Sequence, residues 1–343
     1  MVGPGARLGT LYTKLSQHDR TFIGGICPTV AIGGYLGVGG YSQQMRAMGM
    51  AVDQVLSAQV VLANGTSVTA SQNVNPDLFF AIRGGGMYGI IVEITLKIVK
   101  LPRSANFVIE FPGHATRFRS AKTWMHWAPT TPPVFNGQIN VYNNRTQVTG
   151  WCLGCTQEYL QGLLDESGLL EIPSVQPHVS GNCSTDNSRL WTENHVTTCL
   201  PDDEVGPIFA SAYNVIPDPF TPVPGYPNFQ FDEVPADPSY PPAELWSRFD
   251  MWDKDYFERK SRPLTDEELH YIIEKSGQTP DSANFWLEWT LFDVSVPPPT
   301  TSAYAWQSEA LSLLRFEIAK SYAQSEDFID DLDGYLSPRI GLA

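Results

Sequence analysis

The nine residues Gly33-Gly34-Tyr35-Leu36-Gly37-Val38-Gly39-Gly40-Tyr41 contain five glycines. Such a run lets backbone N–H groups approach an anion or a flat ring closely. No Gly-Lys-Ser/Thr follows, so it is not a nucleotide P-loop. Composition alone leaves a ligand cradle and a structural glycine loop as equal readings. A second cluster, Gly84-Gly85-Gly86-Met87-Tyr88-Gly89, matches G-x-G-x-x-G letter by letter. A dinucleotide site needs a strand, then the glycines, then a helix. Here a helical pattern comes first and a strand pattern follows, which excludes that site. The third set is sulfur. Cys152-Leu153-Gly154-Cys155, with Cys183 and Cys199, has the residue types for a zinc site, with His195 nearby, or for two disulfides. Asn-x-Ser/Thr sequons at Asn64, Asn144 and Asn182 tilt the choice towards disulfides in an oxidising compartment. Two bridges would leave Cys27 unpaired.

The elements that must carry these residues are legible in outline. Ser57 to Leu62, Asn64-Gly65 and Thr66 to Ala70 predict a hairpin with a two-residue turn. Asn75-Pro76-Asp77 opens a short helix, with Asn75 as its cap, and Gly84-Gly85-Gly86 stops it. Alternation at Val92, Ile94, Leu96 and Ile98 predicts a strand. Leu101-Pro102-Arg103 marks a domain boundary. Beyond it, strands are expected at 107–111, in a hairpin of 138–142 with 147–152, and at 284–292. Helices are expected at 115–127, 157–164 and 308–322. Thr265-Asp266-Glu267-Glu268 is a capping box flanked by Leu264 and Leu269, which starts another helix. Residues 200–243, rich in Pro and aromatics, read as a long surface excursion. The mixture predicts an α+β fold with an antiparallel sheet backed by helices.

The bulk properties exclude several classes. The chain has 343 residues, 42% of them hydrophobic and 17% charged, a globular composition. Its net charge of -15, without any basic run, argues against nucleic-acid binding. No apolar stretch approaches a membrane span. Met1 to Arg7 carries no signal-peptide pattern.

Four blocks, in order, carry a family resemblance. Gly24-Gly25-Ile26-Cys27-Pro28-Thr29-Val30 with the Gly33 to Tyr41 run resembles the central flavin loop of berberine-bridge-enzyme-like and glucooligosaccharide-oxidase-like FAD-linked oxidases. Gly49 to Leu56 resembles that family's GLAADNVL, Asn75 to Gly86 its NPDLFWALRGGG, and Gly89 to Glu93 its GVVTE. Residues 1–102 are thus similar to the later part of a PCMH-type FAD-binding domain, and 103–343 to the substrate domain. The second match is looser. It rests on Phe257 to Ser261, the helix at Thr265, and Thr301-Ser302-Ala303-Tyr304-Ala305-Trp306-Gln307, which resembles TAYAHRD with Trp306-Gln307 in place of His-Arg.

The resemblance implies a mechanism and a set of residues. FAD would accept hydride from an alcohol, sugar or amine-bearing carbon while a base removes a proton, and oxygen would reoxidise it. The implied cofactor residues are Cys27, Thr29, Val30, Gly33, Gly34, Tyr35, Gly37, Gly39, Gly40, Tyr41, Gly85, Gly86, Gly89 and Ile91. Cys27 matches the cysteine that bonds the flavin ring, an attachment some relatives lack. The family's proton-abstracting carboxylate aligns with Thr290. Glu288 shares its strand face and becomes the substitute, although a plain surface carboxylate is the competing reading. Trp124, Trp127, Trp289 and Trp306 are expected in core packing rather than around a sugar. No metal belongs to this picture. The expected partners are a small-molecule substrate and oxygen, and the expected form is a secreted monomer. The family pattern extends beyond both ends of this chain, including a Gly-Gly-His flavin loop on the N-terminal side. That predicts weak flavin retention and no turnover for these residues alone. The alternatives are an inactive truncated relative and a secreted glycan-binding module.

Overall fold

The computed structural model describes residues 1–16, 18–25, 30–86, 88–175, 177–184, 252–276, 285–294, 301–318 and 322–342. In chain order these form α1 (Leu8–Ser16), β1 (Arg20–Thr21), α2 (Ile32–Gly37), α3 (Met45–Met48), β2 (Val55–Val61), β3 (Ser67–Ser71), α4 (Pro76–Ala81), β4 (Ile90–Leu96) and β5 (Val99–Lys100). There follow β6 (Arg103–Pro112), α5 (His114–Trp127), β7 (Phe135–Val141), β8 (Arg145–Leu153), α6 (Gln157–Asp165), β9 (His178–Ser184) and β10 (Trp252–Arg259). The last elements are α7 (Asp266–Ser276), β11 (Phe285–Leu291), β12 (Ala310–Ile318), α8 (Tyr322–Leu336) and β13 (Gly341–Leu342). Contacts divide the chain after Arg103: one compact unit takes residues 1–103 and 301–305, and the other takes 104–183, 252–294 and 306–342. The architecture is α+β.

The first unit is built on a three-stranded antiparallel sheet in the order β3-β2-β4. Its buried residues sit at helical spacing, Leu8 with Tyr12 on α1 and Ile32 with Leu36 on α2, and pack against Val60, Ala70 and Ile94 of the sheet. Beside Gly84 to Gly89 there is α4 before and antiparallel β4 after, so the dinucleotide-type arrangement is absent from these described residues. The β2–β3 hairpin forms as expected, but around three residues rather than two. Leu62 N bonds Thr66 O at 2.9 Å, and of the turn residues only Gly65 takes positive φ, +81°. Asn64 instead uses its side-chain oxygen to accept from Thr66 N at 2.9 Å. Asn75 stands at the expected start of α4 but does not cap it. Its φ of 48° turns the side chain back, and Nδ2 donates to Thr69 O at 2.7 Å.

The second unit is an eight-stranded sheet, β13-β10-β12-β11-β7-β8-β6-β9. α5 packs on β7 and β8, α7 on α5 and β11, and α8 on β10. That side of the sheet holds the larger core, including Phe107, Trp124, Phe135, Val148, Trp289 and Phe316. The capping box forms: Thr265 Oγ1 accepts from Glu268 N at 3.3 Å, and Glu268 Oε2 accepts from Thr265 N at 2.9 Å. Arg262 pairs with the same Glu268. The expected helix at 308–322 is overturned. Ala310–Ile318 is the strand β12, paired on both sides with β10 and β11. Its apolar run is short enough to fit a buried strand or a buried helix, and two hydrogen-bonding neighbours decide for the strand. The helix lies one element later, at Tyr322–Leu336. Residues 200–243 fall outside the described residues. No described helix is long and apolar enough to cross a membrane.

Candidate functional site

The two glycine segments of the first unit meet, although some fifty residues separate them in sequence: Gly86 N donates to Gly37 O at 3.3 Å. The expected loop at Gly33 to Tyr41 is partly helical, because Ile32 and Leu36 bury one side of α2. The chain then turns at Gly39 (φ +106°) and Gly40 (φ +73°), whose carbonyls accept from Val52 N at 3.2 Å and Ala51 N at 3.1 Å. Tyr35 donates its hydroxyl to Tyr41 O and ties the turn to the helix.

The glycines then sort into two kinds. Among the described residues, a Cβ at Gly34, Gly37 or Gly86 would meet nothing within 4 Å. Their bare backbone faces open space, the form a flat aromatic cofactor needs for close approach. The others are bare because protein fills the gap. A Cβ on Gly39 would stand 2.5 Å from the Tyr304 ring, on Gly84 2.6 Å from Tyr304 Cβ, and on Gly85 2.8 Å from Ala303 Cβ. On Gly40 it would meet Ala51 at 2.6 Å, on Gly33 Pro4 at 2.7 Å, and on Gly89 Val60 at 2.5 Å. Val30 and Ile91 pack at the margin of the core. Cys27 and Thr29 lie outside the described residues. Just before them, Tyr12 donates its hydroxyl to Gly25 O at 2.6 Å.

Two supports of this surface were not expected from the sequence. Residues 301–304 come from more than two hundred positions away, and Ala303 N bonds Phe80 O at 3.3 Å and Arg83 O at 3.0 Å. Arg83 is buried. Its Nε donates to Phe79 O at 3.0 Å, its Nη2 to Thr301 O, and its guanidinium lies 4.0 Å from the Phe79 ring centroid. Its Nη1 is buried with no hydrogen-bond partner among the described residues. Burial pulls the Arg83 pKa down, and the Asp53 carboxylate opposes that. The sequence signal for the 301–304 segment was the Thr301 to Gln307 block, whose role was not evident.

In the second unit Glu288 and Thr290 share one face of β11, and Thr290 Oγ1 donates to Glu288 Oε1 at 3.2 Å. Register places Thr290 opposite Gln138 and Leu313, and Glu288 opposite Asn140 and Arg315. Gln138 Nε2 donates to Asn140 Oδ1 at 3.3 Å, and Arg315 forks onto Asp255 at 3.1 and 3.3 Å. Asn106 and Thr149 continue the same polar face on β6 and β8. Thr290, Asn140, Asn106 and Thr149 of this polar row are buried, whereas Glu288 is partly exposed. Behind it, Trp289 Nε1 donates to Ser312 Oγ at 2.6 Å, and Ser312 donates to the buried Glu258. Burial pushes the Glu258 carboxyl up, against the bonds from Ser312 and Leu264 N. Trp124, Trp127 and Trp289 are core residues, as expected, and Trp306 packs on Phe257 with ring centroids 5.0 Å apart.

Cys152 and Cys155 are joined as a disulfide, which removes two sulfurs from any zinc set. Cys183 is also disulfide-bonded. Cys199 and His195 lie outside the described residues. No cluster of metal-ligating side chains occurs among the described residues.

Residues 1–71 match the FAD binding domain family. The chain is 43% identical to the FAD-linked oxidoreductase PytB of Aspergillus terreus over 99% of its own length, and 41% identical to PynB of Aspergillus niger over its whole length. It spans 43% and 64% of those two proteins. A xylooligosaccharide oxidase of Thermothelomyces thermophilus is 34% identical over 56% of this chain, which covers 38% of that oxidase. Among solved structures, BBE-like 1 of Physcomitrella patens superposes with a TM-score of 0.75 over 99% of this chain and 67% of its own, at 21% identity.

Proposed function

We propose that the chain belongs to the berberine-bridge-enzyme-like FAD-linked oxidoreductases, binds FAD and oxidises an alcohol, sugar or amine-bearing carbon of a small molecule, a reading supported by its similarity to PytB, PynB and the FAD binding domain family. The observation that carries this reading is the open glycine surface, Gly34 and Gly37 beside Gly86, in the unit that contains the FAD-family match. Bound FAD would supply the hydride acceptor, with oxygen as the final oxidant. The chain's own residues have three tasks. The glycines admit the ring, and Tyr304 with Arg83 holds the two glycine segments in place. Glu288, with Thr290 donating to it, takes the substrate proton. Gln138 and Asn140 orient substrate hydroxyl or amine groups. In this reading residues 1–102 are the later part of the flavin domain and 103–343 the substrate domain, Cys27 bonds the flavin, and the protein works as a monomer outside the cell. The sugar option is supported by the xylooligosaccharide oxidase relative, and the oxidising location by the disulfides at Cys152–Cys155 and Cys183.

The test is a titration with FAD, followed by flavin fluorescence, then anaerobic mixing with alcohols, amines and xylobiose while flavin absorbance is recorded. Flavin uptake with bleaching by one substrate class supports the proposal. Oligosaccharide binding without flavin uptake would replace it with a non-catalytic glycan-binding role. Flavin that stays with the unfolded polypeptide of wild type, but not of Cys27→Ala, establishes the covalent bond.

A further inference from the structure

Cys152 and Cys155 belong neither to the glycine surface nor to the Glu288 face. Their two sulfurs are unlike. Cys152 is fully buried in the core on β8, whereas Cys155 is partly exposed beyond the strand's end. Only three positions separate them, with Cα atoms 5.4 Å apart, and the exposed Gly154 turns the chain at φ +72° with nothing near its Cα. So short a loop gains little from restricting the unfolded chain, so the bond adds little to stability compared with bonds that close long loops. Cys155 also immediately precedes Thr156, the cap of α6. Negative charge is favoured there. The Glu158 carboxyl is held below its ordinary range by a backbone N–H and by the Thr156 hydroxyl.

We propose that Cys152-Leu153-Gly154-Cys155 is a thiol-exchange site that accepts a small-molecule thiol such as glutathione at Cys155. The thiolate attacks Cys155 Sγ, the bond to Cys152 breaks, and Cys152 leaves and takes up a proton. Cys155 then carries the mixed disulfide. A second thiolate attacks the outer sulfur, releases the small disulfide and leaves Cys155 as thiolate. Two thiols are oxidised to one disulfide, and the protein disulfide is reduced to two thiols. In the reverse direction the buried Cys152 displaces the small thiol from Cys155 and restores the bond.

The experiment incubates the folded, full chain with reduced glutathione, quenches with acid, alkylates, and maps the peptides by mass. The Cys152–Cys155 bond should open at least roughly tenfold faster than the bond made by Cys183. In a parallel incubation with oxidised glutathione, Cys152→Ser should exchange into it and accumulate glutathione on Cys155, releasing one reduced glutathione, and Cys155→Ser should carry none on Cys152. The proposal is overturned if the bond opens only in denaturant, if Cys183 is released first, or if the adduct sits on Cys152. Circular dichroism checks that each variant is folded. If one is not, the wild-type time course decides alone.

Discussion

The glycine surface of the first unit and the Glu288 face of the second carry chemistry in opposite ways. One works by what is missing, three Cα positions with nothing above them. The other works by what is present, a row of side chains brought into line by strand register. A missing side chain is a property of single residues. A row across neighbouring strands is a property of pairing. The first kind of site tolerates no added atoms, and a single distant segment, residues 301–304, supports it. The second tolerates conservative changes at each residue but depends on every strand being in register.

The sharpest way to break this comparison is to fill a packed glycine. Gly39→Val adds a branched side chain where even a Cβ stands 2.5 Å from Tyr304, at φ +106°. Left-handed strain of about 1–2 kcal/mol and overpacking of about 1–3 kcal/mol give an expected loss of about 3 kcal/mol. Urea denaturation measures it, and an unchanged midpoint would mean that Tyr304 does not pack there. Next, Glu288→Gln should leave stability nearly unchanged but slow flavin bleaching by substrate about 100-fold in the flavin-loaded protein. Full activity would remove Glu288 from the mechanism and leave the base unassigned. The third test separates the two kinds of glycine. Gly34→Ala, in the exposed part of α2 with no clash, should raise stability by about 0.5–1 kcal/mol, yet weaken FAD binding about tenfold by covering one of the open positions. If affinity is unaffected, Gly34 is not part of the cradle.

The smallest effect concerns pH. The Glu258 carboxyl is raised by burial in the folded protein, so the folded state binds its proton more readily than the unfolded chain does. It therefore costs stability above its raised value, and the cost fades as pH falls to the ordinary carboxyl range. Denaturation of Glu258→Gln across that window should show a flatter pH profile than wild type. Parallel profiles would mean that Glu258 ionises alike in both states.

Much of this molecule could be read from local residues. Asn64-Gly65 made a hairpin because glycine accepts the positive φ of its turn, and Thr265 with Glu268 made a capping box because the donors and acceptors lie within one helical turn. The glycine blocks marked a backbone that something must approach, and their order carried the family. Local residues did not reveal what approaches each glycine. Gly39 and Gly84 are filled by Tyr304, more than two hundred residues away, and only the folded chain separates them from Gly37 and Gly86. Ala310 to Ile318 is apolar enough for a helix, and it became a strand because β10 and β11 offered both of its edges a partner. The placement of Glu288 opposite Asn140 and Arg315 belongs to the same class. Side-chain identity and turn chemistry act over a few residues and are written in sequence. Register and gap-filling join residues that are neighbours only in space, so the tertiary structure alone decided them.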